Sequence, residues 1–90
     1  MMEYGRIVTT RGIAGKMENS PVFTQEISKT FEWYQRKDWG ELCQEDKELN
    51  NQAIENNDRI LAAYKTSNGT IWIITEWDRS ATTILFTNEY

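Results

Sequence analysis

Residues 68–75 read Asn-Gly-Thr-Ile-Trp-Ile-Ile-Thr, and this stretch decides the fold. Asn68-Gly69 is a strong signal for a two-residue type I′ hairpin turn, because both central positions of that turn need a positive φ. The six residues after it are apolar on both faces, which predicts an interior strand. Residues 59–65 alternate before the turn, so the two segments are predicted to form an antiparallel hairpin.

The sheet is predicted to extend on both sides of this hairpin. Residues 77–80 read Trp-Asp-Arg-Ser and predict a second turn, and residues 81–86 predict the last strand. Near the amino end, β-branched side chains predict a first strand over residues 5–14. Residues 16–19 are then expected to be a polar connection.

Two helices are expected between the first strand and the hairpin. Ser20-Pro21 is a good helix start, since the hydroxyl can cap free backbone N–H groups and proline has none to satisfy. Apolar residues at i, i+4, i+8 and i+11 predict a helix over residues 21–37. A second helix over residues 41–56 carries a thinner apolar stripe that includes Leu49. Trp39, at the corner, is expected to pack in the crease between the helices.

The predicted order is β-α-α-β-β-β, which is a single domain of the α+β class over residues 1–90. Two helices would pack on a small, mainly antiparallel sheet. The following side chains are expected in the core: Ile27, Phe31, Trp72, Ile74 and Leu85.

The composition argues against most kinds of catalytic site. The chain has no histidine and one cysteine, so the commonest general base and the commonest transition-metal ligand are missing. Cys43 is interpreted as a small core or boundary residue rather than a reactive thiol. Glu45 shares a helix face with Glu48 or with Glu41, and such a pair could hold Mg²⁺ or act as an acid/base pair. A solvated helix face is the favoured interpretation. We therefore expect no catalytic residue, no metal and no cofactor.

The sequence also bears on location. No apolar run approaches the ~18 residues that a bilayer span needs. The first four residues have neither the basic nor the apolar region of a signal peptide. With a single cysteine, this favours a protein of the reducing cytoplasm that does not bind membranes.

Negative charge is concentrated in the middle of the chain. The net charge is −4, whereas residues 38–58 carry seven carboxylates against Lys47 alone, a net −6. Such a segment argues against direct nucleic-acid binding, which needs clustered lysine and arginine. It suits a basic surface on a protein partner. The candidate partner-binding carboxylates are Glu41, Glu45, Glu48 and Glu55.

The turn at residues 77–80 is a second candidate. Trp77 and Arg79 belong to the residue types that dominate protein-binding hot spots, and Asp78 lies between them. Two plainer interpretations remain open. The turn can hold a local Asp78–Arg79 contact of little energetic value, and Trp77 can cover the edge of the sheet.

Two resemblances add to this picture. The predicted order of elements is similar to that of RelE/ParE-type ribonuclease and gyrase toxins, although those proteins are strongly basic and place catalytic side chains on the sheet. The second resemblance is carried by residues 38–43, 45–50, 59–64, 71–76, 78–86 and 89–90. In these segments the chain resembles a family of small plasmid- and phage-borne bacterial proteins. In that comparison, Trp77 replaces an expected alanine and Thr87 an expected proline.

The second resemblance implies an accessory protein of a mobile genetic element. Small acidic proteins of this kind often inhibit host defence nucleases, as anti-CRISPR and anti-restriction proteins do. The expected function is therefore non-catalytic inhibition of a Cas or restriction nuclease with a basic surface. The alternatives are a toxin–antitoxin component of RelE-like fold that acts on RNA, and a small adaptor protein.

Overall fold

The computed structural model describes residues 3–90. Met1 and Met2, part of the stretch tested for a signal peptide, lie outside this range. The predicted α+β class is confirmed, with one helix more than expected. The elements are β1 (Arg6–Thr9), α1 (Arg11–Asn19), α2 (Pro21–Gln35), α3 (Gln44–Asn56), β2 (Ile60–Thr66), β3 (Gly69–Thr75), β4 (Ala81–Phe86) and a short 3-10 helix (Thr87–Glu89).

The additional helix is α1, so the prediction of a strand over residues 5–14 and a connection over 16–19 was wrong beyond Thr9. The Thr10 hydroxyl oxygen caps α1 by accepting from the Ile13 N–H at 3.4 Å. The Glu89 carboxylate accepts from the Thr10 hydroxyl at 2.6 Å and from the Gly12 N–H at 3.1 Å. These bonds lower the pKa of Glu89, with the Thr10 hydroxyl as the main cause. A helix start is thus stabilised by a residue from the opposite end of the chain.

The two predicted helices are present with shorter bounds. The Ser20 hydroxyl caps α2 as expected, accepting from the Phe23 N–H at 3.1 Å. The α3 helix begins at Gln44 rather than Glu41, because the residues before it pair with the sheet. The Glu41 N–H donates to the Ala63 carbonyl at 2.7 Å. Gly40 takes a φ of 74°, and a β-carbon there would collide with the same carbonyl oxygen.

The sheet has the order β1-β4-β3-β2, with β1 parallel to β4 and the other pairs antiparallel. The strand β3 is interior, as predicted. The hairpin between β2 and β3 exists, but its type I′ assignment was wrong. Thr66 pairs with Gly69, so the loop is Ser67-Asn68. Of these loop residues and Gly69, only Gly69 has a positive φ, 107°. A turn followed by one glycine with a positive φ closes the hairpin, so Asn68 does not need a positive φ.

The core lies between one sheet face and the helices. Tyr34 and Trp39 are buried here, with their rings 5.4 Å apart and edge-on. Trp39 occupies the crease at the helix corner as predicted, and its indole N–H donates to the Asn51 side chain at 3.0 Å. The buried core residues are Ile13, Phe23, Ile27, Tyr34, Trp39, Ala53, Ile60, Ala62, Tyr64, Ile71, Ile73 and Ile84.

The predicted core was correct for Ile27, Ile74 and Leu85, which are buried. It was wrong for Phe31 and Trp72, which are half-buried. Phe31 lies at the margin of the helix layer, and Trp72 points to the sheet face opposite the core. Ile74 and Leu85 lie on the same sheet face as Trp72, because alternate strand positions share a face and Trp72 pairs with Leu85. These two side chains are therefore buried outside the main core cluster.

A chain of buried hydroxyls crosses the core. Tyr34 Oη lies 2.7 Å from Thr75 Oγ1, which lies 2.8 Å from Thr82 Oγ1. Thr82 then donates to the Tyr4 carbonyl at 2.7 Å. Burial raises the pKa of the Tyr34 hydroxyl well above its usual range. The hydroxyl chain joins α2, the central strands and the segment before β1 with each polar atom satisfied.

Candidate functional site

The helix α3 is fastened along the edge strand β2. The Asn50 amide nitrogen donates to the Leu61 carbonyl at 2.8 Å, and the Leu61 N–H donates back to the Asn50 amide oxygen at 3.4 Å. Asn50 and Ala53 are buried, and Ile54 is half-buried. One side of α3 is therefore fixed against the sheet edge, and the opposite side faces solvent.

The outward side of α3 carries carboxylates. At about 100° per residue, Glu45, Glu48 and Glu55 fall within roughly 80° of one another, on the side away from Asn50. All three are exposed, and we call them the acidic stripe. Glu41, the fourth predicted carboxylate, is also exposed but lies before the helix. The structure thus brings together three of the four predicted residues.

The acidic stripe is not neutralised by neighbouring cations. Within residues 3–90 there are two ion pairs, Arg36–Glu32 at 2.7 Å and Arg59–Glu76 at 3.9 Å, and neither involves the stripe. Exposed carboxylates without a partner keep a negative potential that extends about 8–10 Å into physiological salt. The stripe therefore presents a negative field on a fixed helix.

A shallow groove of about 360 Å³ runs beside the acidic stripe, between α3 and the sheet. Leu49 was expected in the apolar stripe that packs inward, and this was wrong, because its side chain is 55% exposed. It stands at the groove margin, one helical turn after Glu45 and Asp46. The groove is lined by Leu42, Asp46, Leu49, Asn50, Arg59 and Leu61.

The turn between β3 and β4 places Trp77 and Asp78 in solvent. The Trp77 side chain is 65% exposed. The Asp78 carboxylate accepts from the Ser80 N–H at 3.1 Å, and hydrogen bonds from Ser80 lower the pKa of Asp78. Both residues are accessible to a partner, and Trp77 is free to insert into one.

Arg79 has a different role. Its guanidinium donates to the carbonyls of Asp58 at 2.7 Å, Glu76 at 3.0 Å and Ala53 at 3.0 Å. The partners are backbone oxygens rather than the Asp78 carboxylate. Arg79 has a φ of 60°, a left-handed conformation that few non-glycine residues adopt. Arg79 thus joins the turn to the carboxyl end of α3, a structural role that the sequence did not indicate.

No family model, curated protein or solved structure matches this chain. Its function must therefore be inferred from its own surface. Across residues 3–90, no group of three histidine, cysteine or acidic side chains is arranged to hold a metal ion. In the same range, no helix has the length and apolar character to cross a membrane. Cys43 is exposed just before α3, so its interpretation as a core residue was wrong.

An aromatic cluster on the second sheet face was not predicted. Trp72 and Tyr90 meet edge-on with ring centroids 5.4 Å apart, and the Arg59 guanidinium lies 5.3 Å from the centre of the Tyr90 ring. Arg59 also lines the groove, so the cluster borders it. Glu76 lies 3.9 Å from Arg59, and both side chains are partly exposed. Tyr90 contacts both Trp72 and Arg59, which are distant from it in the sequence.

Proposed function

We propose that this protein is a non-catalytic inhibitor of a host defence nuclease, of the anti-CRISPR or anti-restriction type. It binds a basic surface of the nuclease through the acidic stripe and acts in the cytoplasm of a bacterial host, carried by a mobile element. The observation that supports this most is the row of outward carboxylates without ion-pair partners on a helix fixed to the sheet.

The physical basis is competition with nucleic acid. Nucleases hold their substrates in positively charged channels, and RNA-guided nucleases hold a whole heteroduplex in one. From Glu45 to Glu55 the helix rises about 15 Å, a distance over which one duplex strand presents about four phosphates. A fixed row of carboxylates of that length occupies the same cations. Complementary charge also speeds encounter between the two proteins.

The test uses charge reversal with a matched control. The variant Glu45→Lys/Glu48→Lys alters the acidic stripe, and Glu3→Lys/Glu18→Lys alters net charge equally at exposed positions elsewhere. Purified proteins are assayed against a guide-loaded Cas nuclease and a restriction endonuclease, by DNA cleavage and by surface-based binding kinetics. The parent should inhibit at least one of them, with affinity that falls steeply as salt rises.

The stripe variant should associate about tenfold more slowly at low salt, whereas the control should match the parent. Inhibition lost equally in both variants would mean that net charge alone matters. An absence of binding to either nuclease class, together with RNA cleavage by the purified protein, would refute the proposal in favour of a toxin.

A further inference from the structure

We infer that the groove between α3 and β2 is a docking site for an amphipathic basic α-helix of the partner protein. The inference rests on the proposed function and names the structural element that the acidic stripe meets. An apolar side chain of the partner helix enters the groove against Leu42, Leu49 and Leu61. Its lysines and arginines meet Asp46 and the acidic stripe.

The groove combines an apolar wall with flanking carboxylates. Leu49 is 55% exposed, in a helix whose other outward residues are charged or amide side chains. Glu45 and Asp46 precede it by four and three residues, so both lie on the same patch of helix surface. Leu42 and Leu61, both half-buried, complete the apolar lining. An occupant that is apolar on one side and cationic beside it matches this pattern.

The charges facing the groove favour a cation. Asp46 lines it directly. Glu45 is exposed one helical turn before Leu49. Arg59 is the basic group of the lining, but Glu76 lies 3.9 Å away and Tyr90 faces its guanidinium. The carboxylates near the groove, Glu45, Asp46 and Glu76, therefore outnumber Arg59, and the net charge around the groove is negative. Nucleic acid is disfavoured there for the same reason.

The hydrogen bonding of the β2 edge determines in which conformation a partner segment can dock. A peptide adds to a sheet as a strand only where backbone groups are free. At β2 the N–H and carbonyl of Leu61 are bonded to Asn50, and the Ala63 carbonyl accepts from Glu41. Strand addition is blocked at these positions. The occupant must dock through side chains, as a helix does with residues at i, i+3, i+4 and i+7.

The experiment needs two synthetic peptides of about four helical turns. One carries leucines at i, i+3, i+4 and i+7 among lysines, and the other has serine at each leucine position, with equal charge. Binding to the parent protein is measured by titration calorimetry, and the contact surface is mapped from backbone amide NMR shifts. The leucine peptide should bind at least about tenfold more tightly, since burying one leucine supports a 10- to 100-fold change. The largest shifts should fall on Leu42, Leu49 and Leu61.

Two substitutions test whether the preference for the leucine peptide comes from the groove. Leu49→Ser should abolish the preference for the leucine peptide. Val22→Ser, at an α2 position that is 62% exposed, should preserve it. Equal binding of both peptides, equal effects of both substitutions, or shifts centred elsewhere would overturn the inference. A dimer of the parent that Leu49→Ser dissolves would also overturn it, because a second copy would then be the occupant.

The same variants separate this inference from the proposed function. If the nuclease is inhibited and Leu49→Ser dissociates from it at the parental rate, the groove is not the docking site although the function stands. If the leucine peptide prefers the groove but no nuclease binds, the docking site stands and the proposed function fails. A Leu49→Ser variant that dissociates about tenfold faster from the nuclease supports both.

Discussion

Replacing Arg79 with alanine should destabilise the fold by about 3 kcal/mol. The guanidinium donates to the backbone carbonyls of Asp58, Glu76 and Ala53 at 2.7–3.0 Å, and more weakly to that of Trp77 at 3.5 Å. A hydrogen bond to a charged group contributes about 1.5–3 kcal/mol, but water can reach some of these carbonyls after truncation, so the sum is discounted. One of them, the Ala53 carbonyl, belongs to the last turns of α3, where a cation is further favoured by the helix dipole.

The backbone conformation of Arg79 provides an internal control. With φ at 60°, any residue with a β-carbon is strained by roughly 1 kcal/mol, and glycine is not. Arg79→Gly should therefore be about 1 kcal/mol more stable than Arg79→Ala, although both lose the same hydrogen bonds. Trp77→Ala, two residues away and exposed, should change stability by less than about 0.5 kcal/mol.

The assay is urea unfolding followed by tryptophan fluorescence, with thermal unfolding as a second measure. For a domain of this size, each kcal/mol corresponds to about 4–8 °C, so Arg79→Ala should melt about 12–24 °C below the parent. A loss under about 0.5 kcal/mol in Arg79→Ala would refute the structural role. A glycine variant less stable than the alanine variant would refute the strain argument.

Three further predictions concern other contacts. Glu89 has a lowered pKa because Thr10 donates to its carboxylate, so its contribution to stability is present above about pH 4.5 and is lost as pH falls through its folded pKa. In urea unfolding, Glu89→Gln should therefore reduce the fall in stability at acid pH. Thr75→Val removes the middle of the buried hydroxyl chain and should cost about 1–3 kcal/mol, whereas a neutral result would mean that water replaces the hydroxyl. Gly40→Ala combines a collision with an unfavourable φ and should cost at least about 2 kcal/mol in the same assay; a parental midpoint would show that the connector can move away from Ala63.

Local sequence signals predicted the elements whose causes are local. The strand over residues 81–86 has the bounds expected for it, and α2 begins where the Ser20 hydroxyl caps it. The α1 helix was missed although its Thr10 cap is local, because Gly12 and Gly15 are unfavourable in a helix. The rest of its start is completed by Glu89, from a distant part of the chain. The hairpin was found but its turn type was not, because Gly69 takes a positive φ and Asn68 does not.

In the candidate site, too, the features with local causes could be predicted and the others could not. The exposure of Glu45, Glu48 and Glu55 follows from charge and helical spacing, both of which can be read from the sequence. The inward side of α3 could not be derived in this way, because a polar residue, Asn50, is buried there while Leu49 is exposed. Arg79 is the second case, since backbone carbonyls bring no sequence signal of their own. Contacts with main-chain atoms are therefore where sequence reasoning about this protein fails.

The pairing of Asn50 with Leu61 has a consequence for self-assembly. A sheet with two free margins can add copies at both and grow without limit into a fibre. Here backbone groups at the β2 edge are hydrogen-bonded to the Asn50 side chain and to Glu41. This leaves β1 as the edge strand to which another strand could be added. Copies that meet through β1 can form a closed pair, after which both remaining margins are sealed. Concentrated solutions of the native fold should thus stop at dimers instead of polymerising through their sheets.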